Sequence, residues 1–290
     1  MTLADGLAVT HTSTVTADQI DHLGHMNVRY YGVNARAATR SLFGRGEIFD
    51  IYTRHHREQL LNAKLEVRSG ILGVDSGSTR LYHELVNTST GEIAATFVHR
   101  IRSDTPIDSV DTIELPDHGR PRSIDLDASM SMPTINELRE LDLAMRAPRE
   151  INNDDTGASD TVSSSMVPML FWGGTPMDGK AQQLVHTGPN GENIGWATME
   201  TRGVINRLPK LGTRIQSFGA TTAIADKTTQ TSMWVYDLDG GGDRGGDLLA
   251  SFEVVSVLFD IGARRAMSIP DDMRAEQIAQ LHPKFGSRPG

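Results

Sequence analysis

From Val28 to Phe43 the chain contains no proline and one glycine. Tyr30, Val33, Ala37 and Ser41, or Tyr31, Ala35, Ala38 and Leu42, recur there at helical spacing. The spacing predicts a helix whose inner side is small and alanine-rich, which suits a helix that a sheet wraps closely. Strand-like alternation follows at 65–72, at 78–86 (Leu81, His83 and Leu85 on one face) and at 92–102 (Ile93, Ala95, Phe97, His99 and Ile101 on one face). The connections, Gly73-Val74-Asp75-Ser76-Gly77 and Asn87-Thr88-Ser89-Thr90-Gly91, are hairpin-like. One helix followed by an antiparallel meander is the expected plan.

Between 116 and 157 the alternation is lost and Pro116, Pro121, Pro133 and Pro148 collect, which marks a connection. Inside it Thr134-Ile135-Asn136-Glu137 has the form of a capping box. Leu138, Leu141, Leu143 and Met145 follow before Pro148, predicting a linker helix of about three turns. The first plan then returns: a short helix at 176–186 precedes strands at 195–205, 213–224, 230–238 and 248–259, the last two joined by the glycine-rich 239–247. The expected organisation is α+β: an N-terminal domain over 1–120, a linker with one helix over 121–158, a second domain over 159–270 and a polar tail over 271–290. The tail has a short amphipathic stretch at 272–281 and a loose end.

A length of 290 residues leaves room for two domains. With 28 Lys+Arg against 37 Asp+Glu the net charge is −9, which argues against a surface built to neutralise nucleic-acid phosphates. No apolar run approaches the ~18 residues needed to cross a bilayer, and the first dozen residues lack the cationic and apolar regions of a secretory signal, so the expected place is the cytoplasm. The chain has no cysteine, so any nucleophile is oxygen or nitrogen.

The chemistry concentrates in Asp21-His22-Leu23-Gly24-His25-Met26-Asn27, immediately ahead of the first helix. Asn27 is placed to cap that helix, so that first-turn N–H groups and the positive end of the helix dipole face the loop and form an oxyanion site. Gly24 allows the bend that brings Asp21 to the same point. At these residues the chain resembles the hotdog-fold thioesterases of the 4-hydroxybenzoyl-CoA thioesterase and acyl-CoA thioesterase type. Their Asp-x-x-Gly-His-Val/Met-Asn motif is followed by an aromatic residue early in a central helix. Here the motif stands as Asp21, Gly24, His25, Met26 and Asn27, with Tyr30 or Tyr31 as the aromatic. The resemblance covers about residues 8 to 115. It implies a helix wrapped by a curved antiparallel sheet, hydrolysis of an acyl thioester with Asp21 as nucleophile or general base, and helix N-terminal amides on the thioester oxygen, with no cofactor.

Two departures qualify the resemblance. Many members carry an earlier acid where this chain has Gln19, and the second half has no copy of the motif. Its nearest equivalent, Phe171 to Asp178, puts Trp172 where the acid belongs. One working site per chain is therefore expected, with the second half supplying walls of the acyl pocket.

The remaining candidates read more plainly. Asp21, His22 and His25 lack the spacing of helix-borne metal ligands, so no metal is expected. Arg54, His55, His56 and Arg57 read as a solvated helix face that could reach CoA phosphates. Ser163-Ser164-Ser165 lacks a nucleophile elbow. The reading is a tandem-hotdog acyl-CoA thioesterase with catalytic Asp21, His25 and Asn27. Its substrate-binding residues are Gly24, Met26, Tyr30, Tyr31 and Trp172, and a homodimer of tandem hotdogs is a candidate assembly. The alternatives are an acyl-carrier-protein thioesterase and a non-catalytic acyl-CoA-binding hotdog protein.

Overall fold

The computed structural model describes residues 6–44, 46–75, 77–102, 111–141, 143–171, 176–177, 185–241 and 245–286. The chain forms two compact units, one of residues 1–122 with 164–166 and the other of 123–163 with 167–290. The segment from Ser123 onward, expected to begin a linker, thus groups with the second unit.

The first unit runs β1 (Ala8–Thr14), α1 (Arg29–Phe43), β2 (Glu47–His55), β3 (Lys64–Asp75), β4 (Ser78–Asn87) and β5 (Ile93–Arg102). Its sheet is antiparallel in the order β1-β3-β4-β5-β2. The helix and the three-stranded meander stand where the periodicity put them. β1 and β2 are additions, and β2 corrects the expected helix face around Arg54 and His55. Those residues end a strand whose positions alternate between buried and half-buried.

One face of this sheet meets α1 through Leu65, Val67, Leu85, Ala95 and Phe97, packed on Tyr31, Ala35 and Ala38. Farther along the same face lies a buried polar chain whose donor order follows from counting protons. Thr10 Oγ1 donates to Val67 O (3.2 Å) and accepts from Ser69 Oγ (2.6 Å), which in turn accepts from His83 Nδ1 (2.6 Å). His83 Nε2 is then the bare nitrogen and accepts from Thr39 Oγ1 (2.9 Å), whose oxygen accepts from His99 Nδ1 (2.8 Å). Every contact is satisfied with both rings neutral, and burial holds them so: His99 is lowered to about 3 and His83 well below the usual histidine value.

The second unit carries α2 (Ile135–Arg139), β6 (Ala144–Met145), β7 (Arg149–Glu150), α3 (Asn153–Thr156), β8 (His186–Thr187), β9 (Asn193–Ile205), β10 (Arg214–Ile224), β11 (Thr228–Asp237), β12 (Asp247–Asp260), β13 (Arg265–Ala266) and α4 (Asp271–Ala279). β6 and β7 both pair with β10, and the main order is β9-β12-β11-β10-β6. Read from β6, this is first, third, fourth, fifth, second, the permutation of the first unit. The duplication inferred from element order is therefore present in the strand topology. The halves also share a device. Arg54 on β2 donates through Nη1 to His118 O (3.1 Å) and Arg120 O (2.7 Å), while Arg202 on β9 donates through Nη1 to Asp125 O (2.7 Å) and Ala128 O (2.8 Å). Each second strand thus pins one stretch of the connecting chain across its own sheet. The first stretch lies so close to Tyr82 that a Cβ at Gly119 would fall 2.5 Å from its ring.

The linker helix is shorter than three turns. Its capping box forms, with Glu137 Oε2 accepting from Thr134 N–H at 2.6 Å, but α2 stops at Arg139. Leu143 then enters the core and Met145 pairs with Phe218, so edge pairing to β10 replaces the last helical turns. The helix expected at 176–186 lies largely outside the described residues. The tail is anchored as far as Phe285, and its last residues, 287–290, lie outside the described residues. His282 N–H donates to Thr221 O (2.7 Å), Ser232 Oγ donates to Phe285 O (3.1 Å), and the Phe285 ring stands 5.1 Å from that of Trp234. A single aromatic residue in a polar stretch reverses the expectation because it is 6% exposed in the second core.

Two predictions follow from this packing. Phe285→Ala destabilises the second unit by about 3 kcal/mol, the usual cost of emptying a buried phenylalanine site; chemical denaturation followed by tryptophan fluorescence reads it. The unfolded chain protonates His83 and His99 near pH 6.5, whereas the folded chain resists until far lower pH. Stability is therefore full above pH 6.5 and falls as pH drops toward 3. In that window each buried histidine contributes a slope of about 1.4 kcal/mol per pH unit. Denaturation curves between pH 7 and 4 measure it, and a His99→Gln variant removes about one proton from the slope.

Candidate functional site

The segment ahead of α1 is a closed loop tied across its neck. Asp21 N–H donates to His25 O (2.8 Å), Gly24 N–H donates to Asp21 O (3.1 Å), and Ile20 and Met26 form an antiparallel bridge. Inside the loop Asp21 Oδ1 accepts from Leu23 N–H (2.9 Å) and His25 N–H (3.2 Å). Its other carboxylate oxygen makes no hydrogen bond among the described residues. Gly24 takes φ +84° with open space around it, so the left-handed backbone rather than crowding calls for glycine.

The expected cap is shifted by one residue. α1 begins at Arg29 and the cap position belongs to Val28, already in helical conformation, while Asn27 Oδ1 accepts from Arg29 N–H (3.1 Å). Gln19, the departure from the family pattern, has structural work: its carbonyl accepts from Asn27 N–H (2.8 Å) and its Oε1 from Thr16 N–H (3.3 Å). Met26 and Tyr31 are buried in the core beneath α1. Tyr30 is half-buried, its hydroxyl accepting from Arg29 Nη2 (2.7 Å) and donating to Asp18 O (3.3 Å). Trp172 lies outside the described residues.

A second loop, 56–62, lies against the first and was missed by sequence reasoning. Met26 N–H donates to Gln59 O (2.7 Å), Tyr31 hydroxyl to Arg57 O (3.1 Å) and Asn87 Nδ2 to buried Gln59 Oε1 (2.8 Å). His25 Nε2 stands 3.3 Å from Glu58 Oε2, with side-chain exposures of 18% and 47%. Burial raises the Tyr31 phenol to about 12, with the charge of nearby Asp21 adding to the shift, so it is a neutral donor. His55, at the end of β2, packs edge-on against Tyr31 with ring centroids 5.1 Å apart. Burial, with a smaller push from His56, lowers it to about 4. The only available signal was that Arg54 to Glu58 mixes basic and acidic residues with two histidines, which a strand end and a helix face share.

Asp21, His25 and Asn27 thus meet on one turn, with Glu58 added. Asp21, His22 and His25 do not gather as a metal site, and no cluster of three potential metal-binding side chains occurs among the described residues. Likewise no described helix is long and apolar enough to cross a membrane.

No known family profile matches the chain, and no curated protein matches it by sequence. Solved structures do. The 12:0-ACP thioesterase from Umbellularia californica superposes with a TM-score of 0.59 at 9% identity, covering 85% of this chain and 92% of that one. An acyl-ACP thioesterase from Bacteroides thetaiotaomicron gives 0.54 at 9% identity, covering 85% and 96%. The tesB protein of Mycobacterium avium subs paratuberculosis gives 0.52 at 10% identity, covering 87% and 95%.

Gly24→Ala is expected to cost about 1 kcal/mol from left-handed backbone strain alone, and Gly24→Asn less, since asparagine tolerates that region. Thermal melting of the two variants compares them. A protein with the hot dog fold from Alicyclobacillus acidocaldarius gives a TM-score of 0.50 at 11% identity, covering 88% of this chain and 96% of that one. With each unit showing one strand permutation, and with that likeness running over most of the chain, the protein has the fold of two tandem hotdog domains.

Proposed function

We propose that the protein is an acyl thioesterase acting on acyl-CoA, with its site in the first unit. The observation that carries the reading is Asp21: one carboxylate oxygen is fixed by two amides of its own turn while the other stays open beside the start of α1. A carboxylate so held is oriented without being consumed by its neighbours. Its open oxygen takes a proton from water as the water oxygen bonds to the thioester carbon, or attacks that carbon itself to form a mixed anhydride that water then hydrolyses, restoring the carboxylate. By either route the carbon–sulfur bond breaks and CoA leaves as the thiolate. His25, beside Glu58, flanks the reacting group. Asn27 fixes the helix start, Gly24 shapes the turn, Tyr30 borders it, and Met26 and Tyr31 support it from beneath. Trp172 is assigned to the acyl wall by sequence position alone.

An acyl-carrier-protein thioesterase is the second reading, favoured by the two structural neighbours named for acyl-ACP substrates. A net charge of −9 weighs against docking an acidic carrier. Thiol release from a panel of acyl-CoAs and from acyl-ACP separates the two. In Asp21→Asn the amide oxygen accepts the same two N–H groups, so the turn and the melting temperature are retained while charge and basicity are lost. Turnover on the best substrate is expected to fall at least ~100-fold. Turnover near the wild-type rate removes Asp21 from the mechanism.

A further inference from the structure

The start of α1 has fewer open donors than an oxyanion site needs. Leu23 and His25 N–H serve Asp21 Oδ1, Gly24 N–H serves Asp21 O, Met26 N–H serves Gln59 O and Asn27 N–H serves Gln19 O. Arg29 N–H serves Asn27 Oδ1, Tyr30 N–H serves Asn27 O (3.0 Å) and Tyr31 N–H serves Val28 O (3.3 Å). From Leu23 to Tyr31, only the Val28 amide lacks an acceptor among the described residues. Tetrahedral intermediates of acyl transfer are held by converging donors, commonly two. A second donor must come from elsewhere.

His55 is placed to be that donor. The register pairs it with Ala95, which belongs to the core against α1, so the imidazole lies on the α1 face of the sheet. It meets Tyr31, less than one turn beyond Val28, at an interplanar angle of 82°. The residue is half-buried, and its ring makes no hydrogen bond among the described residues. The neighbouring His83 and His99 differ: both have their polar contacts within the core.

We propose that His55 is a catalytic residue whose neutral imidazole donates one N–H to the thioester carbonyl oxygen, beside the Val28 amide, and holds the oxyanion as it forms. The inference rests on the thioesterase reading. The ring stays neutral throughout and transfers no proton; its role is that of a fixed dipole in a dry site. Low basicity suits the task, because an imidazolium at this point would be an unpaired charge held at a high desolvation cost.

The test uses the full chain. His55→Phe keeps a ring against Tyr31 and removes both nitrogens, and His55→Gln restores a donor. Kinetics on the best acyl-CoA are read beside histidine ring 15N spectra, with and without a saturating 2-oxoalkyl-CoA thioether, which keeps the carbonyl but cannot be cleaved. Expected are a shift of the His55 ring resonances on adding the thioether, a kcat loss of about 100-fold in His55→Phe with KM within about threefold, and recovery of about tenfold in His55→Gln. His55→Phe turning over near the wild-type rate, or unshifted His55 resonances in the complex, overturns the inference while leaving the thioesterase reading standing. Failure of wild type to release thiol from any acyl thioester overturns that reading, and the catalytic role of His55 with it.

Discussion

How closely a sheet can lie on a helix is set by the side chains between them, and in the first unit these are chiefly Ala35 and Ala38. Small residues let β3 to β5 pack Phe97, Leu85 and Val67 close against α1. The close approach also brings Thr39 between His83 and His99, and Tyr31 against His55. A bulkier helix face would lift the sheet and open both contacts. The candidate chemistry therefore depends on alanines that touch no substrate.

Much of this was legible in the sequence where burial is one-sided. The meander strands alternate cleanly because one face meets the helix, and the proline-free run from Val28 to Phe43 could only be a helix. The Asp21 turn was legible too, since Gly24 and Asn27 announce local conformations. What stayed hidden depends on distant partners. Arg54 reads as a surface residue until the carbonyls of His118 and Arg120 are brought to it, and Phe285 reads as part of a tail until Trp234 receives it. The free amides expected at the helix start were assigned by type. Their use by Gln19, Gln59 and Asn27 appears only when the loops are in place.

The two halves diverged unevenly. Strand order and the arginine on the second strand are common to both, although the residues around them share no obvious identity. Backbone carbonyls are present whatever the side chain, so an arginine that recognises them tolerates sequence drift in the segment it holds. The motif had no such tolerance. It requires a left-handed position at Gly24 and a carboxylate at Asp21, and the sequence of the second half holds no copy of it.

The hydrogen-bonded chain through Thr39 has a bearing on how α1 is oriented. The alanines on that face resist turning or sliding only weakly, so the setting of the helix rests on Tyr31 at its start and on Thr39 farther along. One hydroxyl that must give its proton to His83 while receiving one from His99 admits a single rotational setting. Valine at Thr39 would keep the shape and leave His83 Nε2 and His99 Nδ1 without their partner. The polar tie thus acts as a keyway: it indexes the helix in its socket, and the direction in which the Asp21 turn faces is inherited from it.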